Sequence, residues 1–284
     1  MKVDFSHLSI AVVGSVNLDF VASVEYFPEP GETVTNAVIK RHPGGKGSNQ
    51  ALAAHRLGAE VYMVACVGND GVAPEALANL NSEGVNLDYC IELENVSTGL
   101  ALILVSADGE NQIVVAPGAN AAFSPDLLKL PATDAVIAQL EVPMDTILQL
   151  ASQHQGFFCL NAAPAKEVPL QVLDHTNLLI VNEIEARMIG DKLQDFDGLL
   201  ATTFGSRGAA LSRSGIEIAR ALPPKISVVD TTGAGDAFTA ALTVCLVSGM
   251  KPQQALEFAC RAGAYTATQA GAQGSPNLHE LELM

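Results

Sequence analysis

Residues Asp230–Asp236, with the sequence Asp-Thr-Thr-Gly-Ala-Gly-Asp, combine a flexible backbone with carboxylates in one short segment. The two glycines lack side chains, so the backbone can turn tightly and present its N–H groups to an anion. The apolar run Ala237–Val247 predicts a helix, with Gly249 as its C-terminal stop. The glycines would then lie at the positive end of that helix, where phosphates bind readily. An anion site with Asp236 in its first turn suggests phosphoryl transfer to a hydroxyl group.

Asn17 and Asp19 lie in the segment Gly14–Asp19, directly after the first predicted strand. Ligands of open α/β sheets bind beyond the carboxyl ends of the strands, so both side chains are well placed to meet one. An amide and a carboxylate two residues apart can hold the vicinal hydroxyls of a sugar. The alternative is an ordinary polar pair at the junction of a strand and a turn.

The segment Pro43–Gln50, Pro-Gly-Gly-Lys-Gly-Ser-Asn-Gln, opens the next predicted helix. It differs from the phosphate-binding P-loop, because Gly47 follows Lys46 where that motif has Ser or Thr, and it lacks the GxGxxG spacing. The glycines favour close approach of the backbone to a small polar ligand, to which Asn49 would donate. A plain glycine-rich connection is the alternative interpretation.

Short β-branched runs alternate with Ala-rich or amphipathic segments, which predicts a parallel sheet covered by helices on both faces. The predicted buried strands are Ile10–Val13, Val61–Val67, Ala135–Ala138, Phe157–Leu160, Leu178–Val181 and Leu199–Thr203. The predicted helices are Ser48–Leu57, closed by Gly58, Ala73–Ser82, before Gly84, and Met144–Ser152, after Pro143.

Two regions, Phe20–His42 and Gly99–Ala116, contain only β patterns, and the second predicts a hairpin that turns at Ala107–Glu110. Together they predict a small sheet that projects from the main domain as a lid over a cleft. Because a sheet with one apolar face commonly pairs with a second copy, we expect a homodimer through this lid.

The composition predicts a compact protein, since 49% of the 284 residues are hydrophobic and 16% are charged. The formal net charge of −16 argues against nucleic acid or an anionic membrane as a partner. The five cysteines show no CxxC pairing and the histidines no HxxxH spacing, which favours reduced thiols and argues against a zinc site. With no convincing secretion signal and no apolar run long enough for a bilayer, we expect a soluble cytoplasmic protein.

The order of these motifs resembles the ribokinase-like, or PfkB, family of carbohydrate kinases, over nearly the whole chain from Val12 to about Pro276. The motifs that carry the resemblance are GSVNLD at Gly14–Asp19, PGGKGSNQA at Pro43–Ala51, PGAN at Pro117–Asn120, QLE at Gln139–Glu141, NAAPA at Asn161–Ala165, NEIEA at Asn182–Ala186, TFGSRG at Thr203–Gly208 and DTTGAGDAF at Asp230–Phe238. The resemblance implies a three-layer α/β/α fold with a mainly parallel central sheet and a small β-sheet lid. It also implies one kinase domain over residues 1–284, with the lid formed by insertions at about 20–42 and 99–116.

The resemblance further implies ATP-dependent phosphorylation of the primary hydroxyl of ribose or a similar pentose. Asp236 would be the general base, and the backbone N–H groups of Gly233, Ala234 and Gly235 would form the anion hole. The implied sugar-binding residues are Asn17, Asp19, Gly44, Gly45, Lys46, Asn49 and Glu141, together with Asp236. The implied nucleotide-binding residues are Asn182, Glu185, Thr203, Gly205, Ser206, Gly208 and Gly235, with Glu185 holding Mg²⁺ through water. A monovalent cation, K⁺, is implied at Asp230, Thr232, Thr266, Gln269, Gly271 and Ser275.

The chain departs from the family pattern in the short segment Ala186–Thr202, which leaves little room for the usual helix and strand. We therefore expect an outer helix to be missing or reduced to a turn, and this leaves the identity of the phosphate donor open. The acceptor also stays open, because another sugar or a nucleoside would suit the same motifs. A sugar- or nucleotide-binding regulator without turnover is the alternative from another class, although binding alone does not require a base at Asp236. A dinucleotide-dependent dehydrogenase fits worst, since its fingerprint is absent.

Overall fold

The computed structural model describes residues 3–284, which form two β-sheets and the helices packed around them. In chain order the strands are β1 (Ser9–Val13), β2 (Asn17–Ser23), β3 (Val38–Gly44), β4 (Glu60–Gly68), β5 (Asn86–Leu93), β6 (Gly99–Val105), β7 (Asn111–Ala116), β8 (Ala135–Gln139), β9 (Phe157–Asn161), β10 (Leu178–Asn182), β11 (Leu199–Thr203), β12 (Ala209–Arg213) and β13 (Ile216–Ala221). The α-helices are α1 (Lys46–Arg56), α2 (Ala73–Ala76), α3 (Ala78–Glu83), α4 (Met144–Gln153), α5 (Leu170–Leu173), α6 (Glu183–Ile189), α7 (Ala234–Val247), α8 (Pro252–Thr266) and α9 (Leu278–Glu282).

The large sheet has the strand order β13-β12-β11-β10-β9-β8-β1-β4-β5 and is parallel from β11 to β5. The strands β12 and β13 extend one edge in antiparallel fashion. The central strands are short apolar runs, and all five residues of β8 are buried. Such strands require cover on both faces, as parallel sheets generally do.

Two cores lie on opposite faces of this sheet. Alternate side chains of β1 divide between them, because successive residues of a strand point to opposite faces. Ile10 and Val12 pack with side chains of α1, α7 and α8, whereas Ala11 and Val13 pack with side chains of α4 and α5. The predicted three-layer α/β/α fold with a mainly parallel sheet is therefore confirmed.

The small sheet, with the order β3-β2-β6-β7, supplies the predicted β-sheet lid. The hairpin of β6 and β7 closes where predicted, with the Ser106 N–H donating to the Glu110 carbonyl over 3.0 Å. Asn17 pairs with Gly44 in the register of β2 and β3. The segments Gly14–Asp19 and Pro43–Gln50 therefore meet at one end of this sheet.

All four predicted helices differ from their predicted bounds, α1 and α4 by only one or two residues at an end. The helix predicted over 73–82 is divided into α2 and α3, because Leu77 adopts φ −93° and ψ −1°, outside the regular α-helical range. Helix α7 begins at Ala234 rather than Ala237, so Asp236 lies in its first turn as expected. Gly249 follows α7 with a left-handed φ of 82°, the conformation that makes glycine a helix stop.

The connection between β10 and β11 is as short as the sequence suggests. It holds the seven-residue helix α6 and a 3-10 turn at Gly190–Leu193 before β11 begins. The expected reduction of an outer helix thus takes the form of this turn. Among residues 3–284, none of the helices is both long and apolar enough to cross a membrane.

Candidate active site

Asn17 is held at the start of β2 by Asn120, a residue of the PGAN motif. The Asn120 side chain accepts from the Val16 N–H over 2.9 Å, and its amide donates to the Val16 carbonyl and to Asn17 Oδ1 over 3.1 and 2.7 Å. All three residues are buried. The bond to Oδ1 fixes the orientation of the Asn17 side-chain amide. Asn120 therefore positions Asn17, a role that the sequence pattern alone did not reveal.

Asp19 lies beside the backbone of Gly44 on the neighbouring strand. A Cβ atom at Gly44 would lie only 2.2 Å from Asp19 Oδ2, so glycine is needed there to leave room for the carboxylate. Gly45 has φ +90°, a conformation that favours glycine. Burial, aided by the nearby negative charge of Glu141, raises the pKa of Asp19 to about 6.

Glu141 joins three segments that are separate in sequence. Its Oε2 accepts from the Ser15 hydroxyl, after β1, and from the Lys46 N–H at the start of α1, over 2.5 and 3.0 Å. Glu141 itself follows β8, so the loops at the ends of two adjacent parallel strands converge on one carboxylate. This is the edge of the sheet where α/β proteins bind ligands.

Asp236 lies where these loops meet the N-terminus of α7. Its Oδ2 accepts from Asn49 Nδ2 over 2.9 Å, and its Oδ1 accepts from Gln50 Nε2 over 2.8 Å. Burial raises its pKa, while the positive charge of Lys46 and the two amides oppose that rise. Asp236, Glu141 and Glu185 together raise the pKa of the Lys46 ammonium, with Asp236 contributing most.

Asn49 carries an unused acceptor into this cluster. Its Oδ1 is buried and has no hydrogen-bond partner among the residues that the structure describes. A buried acceptor without a partner costs about 1–3 kcal/mol, so a ligand hydroxyl that donates to it would recover that free energy. The predicted sugar-binding residues therefore include a group that still requires a donor.

A cavity of about 670 Å³ opens on the other side of the α7 N-terminus. The predicted nucleotide-binding residues Thr203, Gly205, Ser206, Gly208 and Gly235 all line it, as does Ala234 of the predicted anion hole. The third residue of that hole, Gly233, caps α7 with φ +78°, and a Cβ atom there would lie 2.0 Å from the Ala272 carbonyl oxygen. The first turn of α7 thus contains both the cavity-lining residues Ala234 and Gly235 and the buried Asp236, which does not line the cavity.

Further residues of the cavity were not predicted from the sequence. They are Ala209, Pro223, Pro224, Lys225, Ile226, Val228, Thr231, Phe238, Cys260, Gly263, Ala264 and Ala267. Most are small or apolar residues of α8 and of the loop between β13 and α7. Their sequence pattern is typical of a buried helix and of an ordinary connecting loop. Only the fold identifies these residues as the walls of a cavity.

Asn182 and Glu185 do not line the cavity themselves, although Asn182 pairs with the cavity residue Thr203 in the register of β10 and β11. They form a capping box at the start of α6, in which the Asn182 N–H and side-chain amide donate to the two Glu185 carboxylate oxygens over 2.7 and 3.0 Å. Burial raises the pKa of Glu185, and the charge of Lys46 opposes that rise. Both oxygens of Glu185 thus already have a protein donor.

The six predicted cation ligands divide into three groups. The Asp230 carboxylate accepts from the N–H and hydroxyl of Thr232 and from the Gly271 N–H, over 2.9, 2.7 and 2.9 Å. Although burial opposes it, these bonds hold the pKa of Asp230 below its ordinary value. Gln269 and Ser275 instead line a second, polar pocket of about 540 Å³. Thr266 donates its hydroxyl to the Ala262 carbonyl within α8.

Residues 7–279 match the pfkB family of carbohydrate kinases. The chain belongs to this family. The predicted enzyme class, a phosphotransferase that acts on an alcohol group of a sugar, is confirmed by this match and by the ribokinase relatives.

This chain is similar to a ribokinase from Bacillus subtilis, with 38% identity over an alignment that covers 96% of this chain and 98% of the relative. A crystal structure of ribokinase from Thermotoga maritima superposes with a TM-score of 0.89 at 31% identity, covering 97% of this chain and 98% of the other. The structure of Arabidopsis thaliana ribokinase complexed with ribose and ATP has a TM-score of 0.87 at 29% identity, with coverages of 97% and 98%.

Proposed function

We propose that this chain is an ATP-dependent kinase that phosphorylates the primary hydroxyl of ribose. The observation that carries the proposal is the position of Asp236, whose buried carboxylate faces the predicted sugar residues while Ala234 and Gly235 of the same turn line the 670 Å³ cavity. A base and an anion hole on one helix turn suit transfer of a phosphoryl group between a ligand in the cavity and a hydroxyl beside Asp236. The ribokinase relatives, one of them bound to ribose and ATP, support this pair of substrates.

The reaction follows from the groups around Asp236. The primary hydroxyl loses its proton to Asp236 while its oxygen bonds to the γ-phosphorus of ATP, and the bond from phosphorus to the bridging oxygen of ADP breaks. Burial raises the pKa of Asp236 and so strengthens it as a base, whereas Lys46 favours its ionised form. The N–H groups of Gly233, Ala234 and Gly235, at the positive end of α7, stabilise negative charge on the transferred group.

Two metal ions complete the proposal. Glu185 would hold Mg²⁺ through water, because both of its oxygens already accept from Asn182, and the ion would supply positive charge to the phosphates. K⁺ would lie beside Asp230, whose lowered pKa keeps it anionic, next to Thr232 and Gly271. Thr266 and Gln269 remain proposed ligands, whereas both Ser275 oxygens accept from the Arg56 guanidinium, so Ser275 fits a cation site poorly.

The lid also supports a homodimer. Large apolar side chains remain exposed on its strands, with exposures of 51–67%. Strand alternation and register place Ile39, Leu102 and Val114 on one face, where they form an apolar patch, and Val38, Ile113 and Val115 on the other. Such a patch on an isolated sheet favours association with another copy.

An acceptor screen tests the proposed reaction. ADP release is measured with ribose, deoxyribose, fructose, adenosine and pseudouridine, each with and without K⁺. We expect ribose to give the highest kcat/KM and K⁺ to increase the rate. A preference for a nucleoside or another sugar would contradict ribose as the acceptor, and no stimulation by any acceptor would favour a regulator without turnover.

Substitution of the base tests the mechanism. Asp236→Asn keeps the size of the side chain but removes the proton acceptor, so kcat should fall by about 10²–10⁴-fold while sugar and ATP binding by calorimetry persist. Asp197→Asn, at an exposed aspartate on the segment before β11, is the matched control and should retain activity. Near-normal turnover in Asp236→Asn would refute the assigned role.

A further inference from the structure

A buried chain of side-chain amides leads from the central sheet to Asp236. Gln139, the last residue of β8, donates from Nε2 to Gln50 Oε1 over 2.7 Å, and Gln50, on α1, donates from Nε2 to Asp236 Oδ1 over 2.8 Å. Both glutamines have no exposed surface. The proposed sugar-binding residues Asn49 and Glu141 lie one and two residues from Gln50 and Gln139 in the sequence, but neither glutamine has a role in the proposed reaction.

The direction of the hydrogen bonds in this chain is fixed by Asp236. An ionised carboxylate only accepts, so the Gln50 amide must present its nitrogen to Asp236 and its oxygen away from it. Gln139 then stabilises that orientation by donating to the Gln50 oxygen. The reversed Gln50 amide would place an oxygen against the carboxylate and lose both bonds.

The hydrogen bonds from Gln139 to Gln50 and from Gln50 to Asp236 leave one oxygen of Gln139 unsatisfied. Gln139 Oε1 is buried with no partner among the described residues, a condition that is unfavourable in a protein interior. Space for this oxygen depends on Gly14, since a Cβ atom there would lie 2.0 Å from it. An apolar residue at 139 would avoid the unsatisfied oxygen, so simple packing does not explain a glutamine at this position.

The two oxygens of Asp236 have different neighbours. Oδ1 accepts from Gln50, which Gln139 holds in turn, whereas Oδ2 accepts from Asn49. The side-chain oxygen of Asn49 has no partner among the described residues. We propose that Gln139, acting through Gln50, positions the Asp236 carboxylate so that Oδ2 faces the acceptor hydroxyl. This inference depends on the proposed role of Asp236 as the base and makes Gln50 and Gln139 positioning residues.

The test uses methionine, which resembles glutamine in size but neither donates nor accepts a strong hydrogen bond. In Gln50→Met, kcat should fall about 10- to 100-fold, the range expected for a hydrogen bond to a charged group, with both KM values within about twofold. Gln139→Met keeps the Gln50 donor and should lower kcat about 3- to 10-fold. In the double variant Gln139→Met should have little further effect, because its influence passes through Gln50.

The pH profile separates positioning from a general structural role. Because the Gln50 bond lowers the pKa of Asp236, its removal should move the acidic limb of kcat to higher pH. The charged groups that face Asp236, Lys46 from α1 and Glu141 from the loop after β8, are unchanged in these variants. Thr243→Val, which removes a buried hydroxyl from α7, is the control and should alter thermal stability without moving the pH profile.

The results of these experiments decide the inference. Reduced kcat with a shifted acidic limb in Gln50→Met, together with non-additivity, supports it. An unchanged kcat in a folded Gln50→Met overturns it. It is also overturned if Gln139→Met lowers kcat by the same factor in the wild type and in Gln50→Met. If Gln50→Met does not fold, Gln139→Met decides through its kcat and pH profile. High turnover of Asp236→Asn would instead show that the proposed base is wrong, which distinguishes the two failures.

Discussion

Replacing Asp19 by Asn would remove an ionisable group that the fold buries at the proposed sugar site. Asp19 is 9% exposed, and burial together with Glu141 raises its pKa from 3.8 to about 6. Because the folded pKa exceeds the unfolded one, the contribution of this group to stability is full below the unfolded pKa. It is lost as the pH rises through about 6.

The magnitude follows from the size of that shift. A rise of about two pKa units corresponds to about 3 kcal/mol, at about 1.4 kcal/mol per unit. Asp19→Asn should therefore raise the free energy of unfolding by up to about 3 kcal/mol above about pH 7, and by only about 0.5 kcal/mol near pH 4. The same change should weaken ribose binding, because the carboxylate acceptor is lost.

Urea unfolding of the wild type and Asp19→Asn between about pH 4 and pH 8 measures this difference. The control, Asp197→Asn, alters an exposed carboxylate and should change stability by less than about 0.5 kcal/mol at any pH. A stability gain that does not grow with pH, or a loss of stability above pH 7, would refute the reasoning. Calorimetry with ribose provides the functional half of the test.

Two further predictions concern the cavity and the lid. Ala264→Leu places a larger side chain in the 670 Å³ cavity, so the KM for ATP should rise about 10-fold or more while ribose binding is retained, and an unchanged KM would place the nucleotide elsewhere. Val114→Lys introduces a charge on the exposed face of β7, so light scattering should find the 29.6 kDa monomer in place of a dimer. Ile216→Lys, on the exposed face of β13, is its control, and a dimer that survives Val114→Lys would contradict the lid interface.

The sequence predicted the architecture well because the signals are local and strong. The strand Ala135–Ala138 is a short apolar run, and its extension to Gln139 is the observed β8. The helix predicted at Met144–Ser152 extends by one residue to become α4. The break at Leu77 was not predicted, since nothing in Ala73–Ser82 marks a single residue that leaves the helical conformation.

The residues that could do chemistry were also visible in the sequence, since Asp236, Asn49 and Glu141 are polar groups beside glycines or strand ends. Their mutual arrangement was not, because hydrogen bonds such as that between Asn49 and Asp236 join residues 187 positions apart. The apolar cavity walls, such as Ala264, and the link from Gln139 to Asp236 likewise depend on which elements pack together. Residue types and local periodicity can be read from the sequence. The distances between side chains, their burial and the direction in which an amide donates are decided only when the sheet brings separate strand ends to one edge.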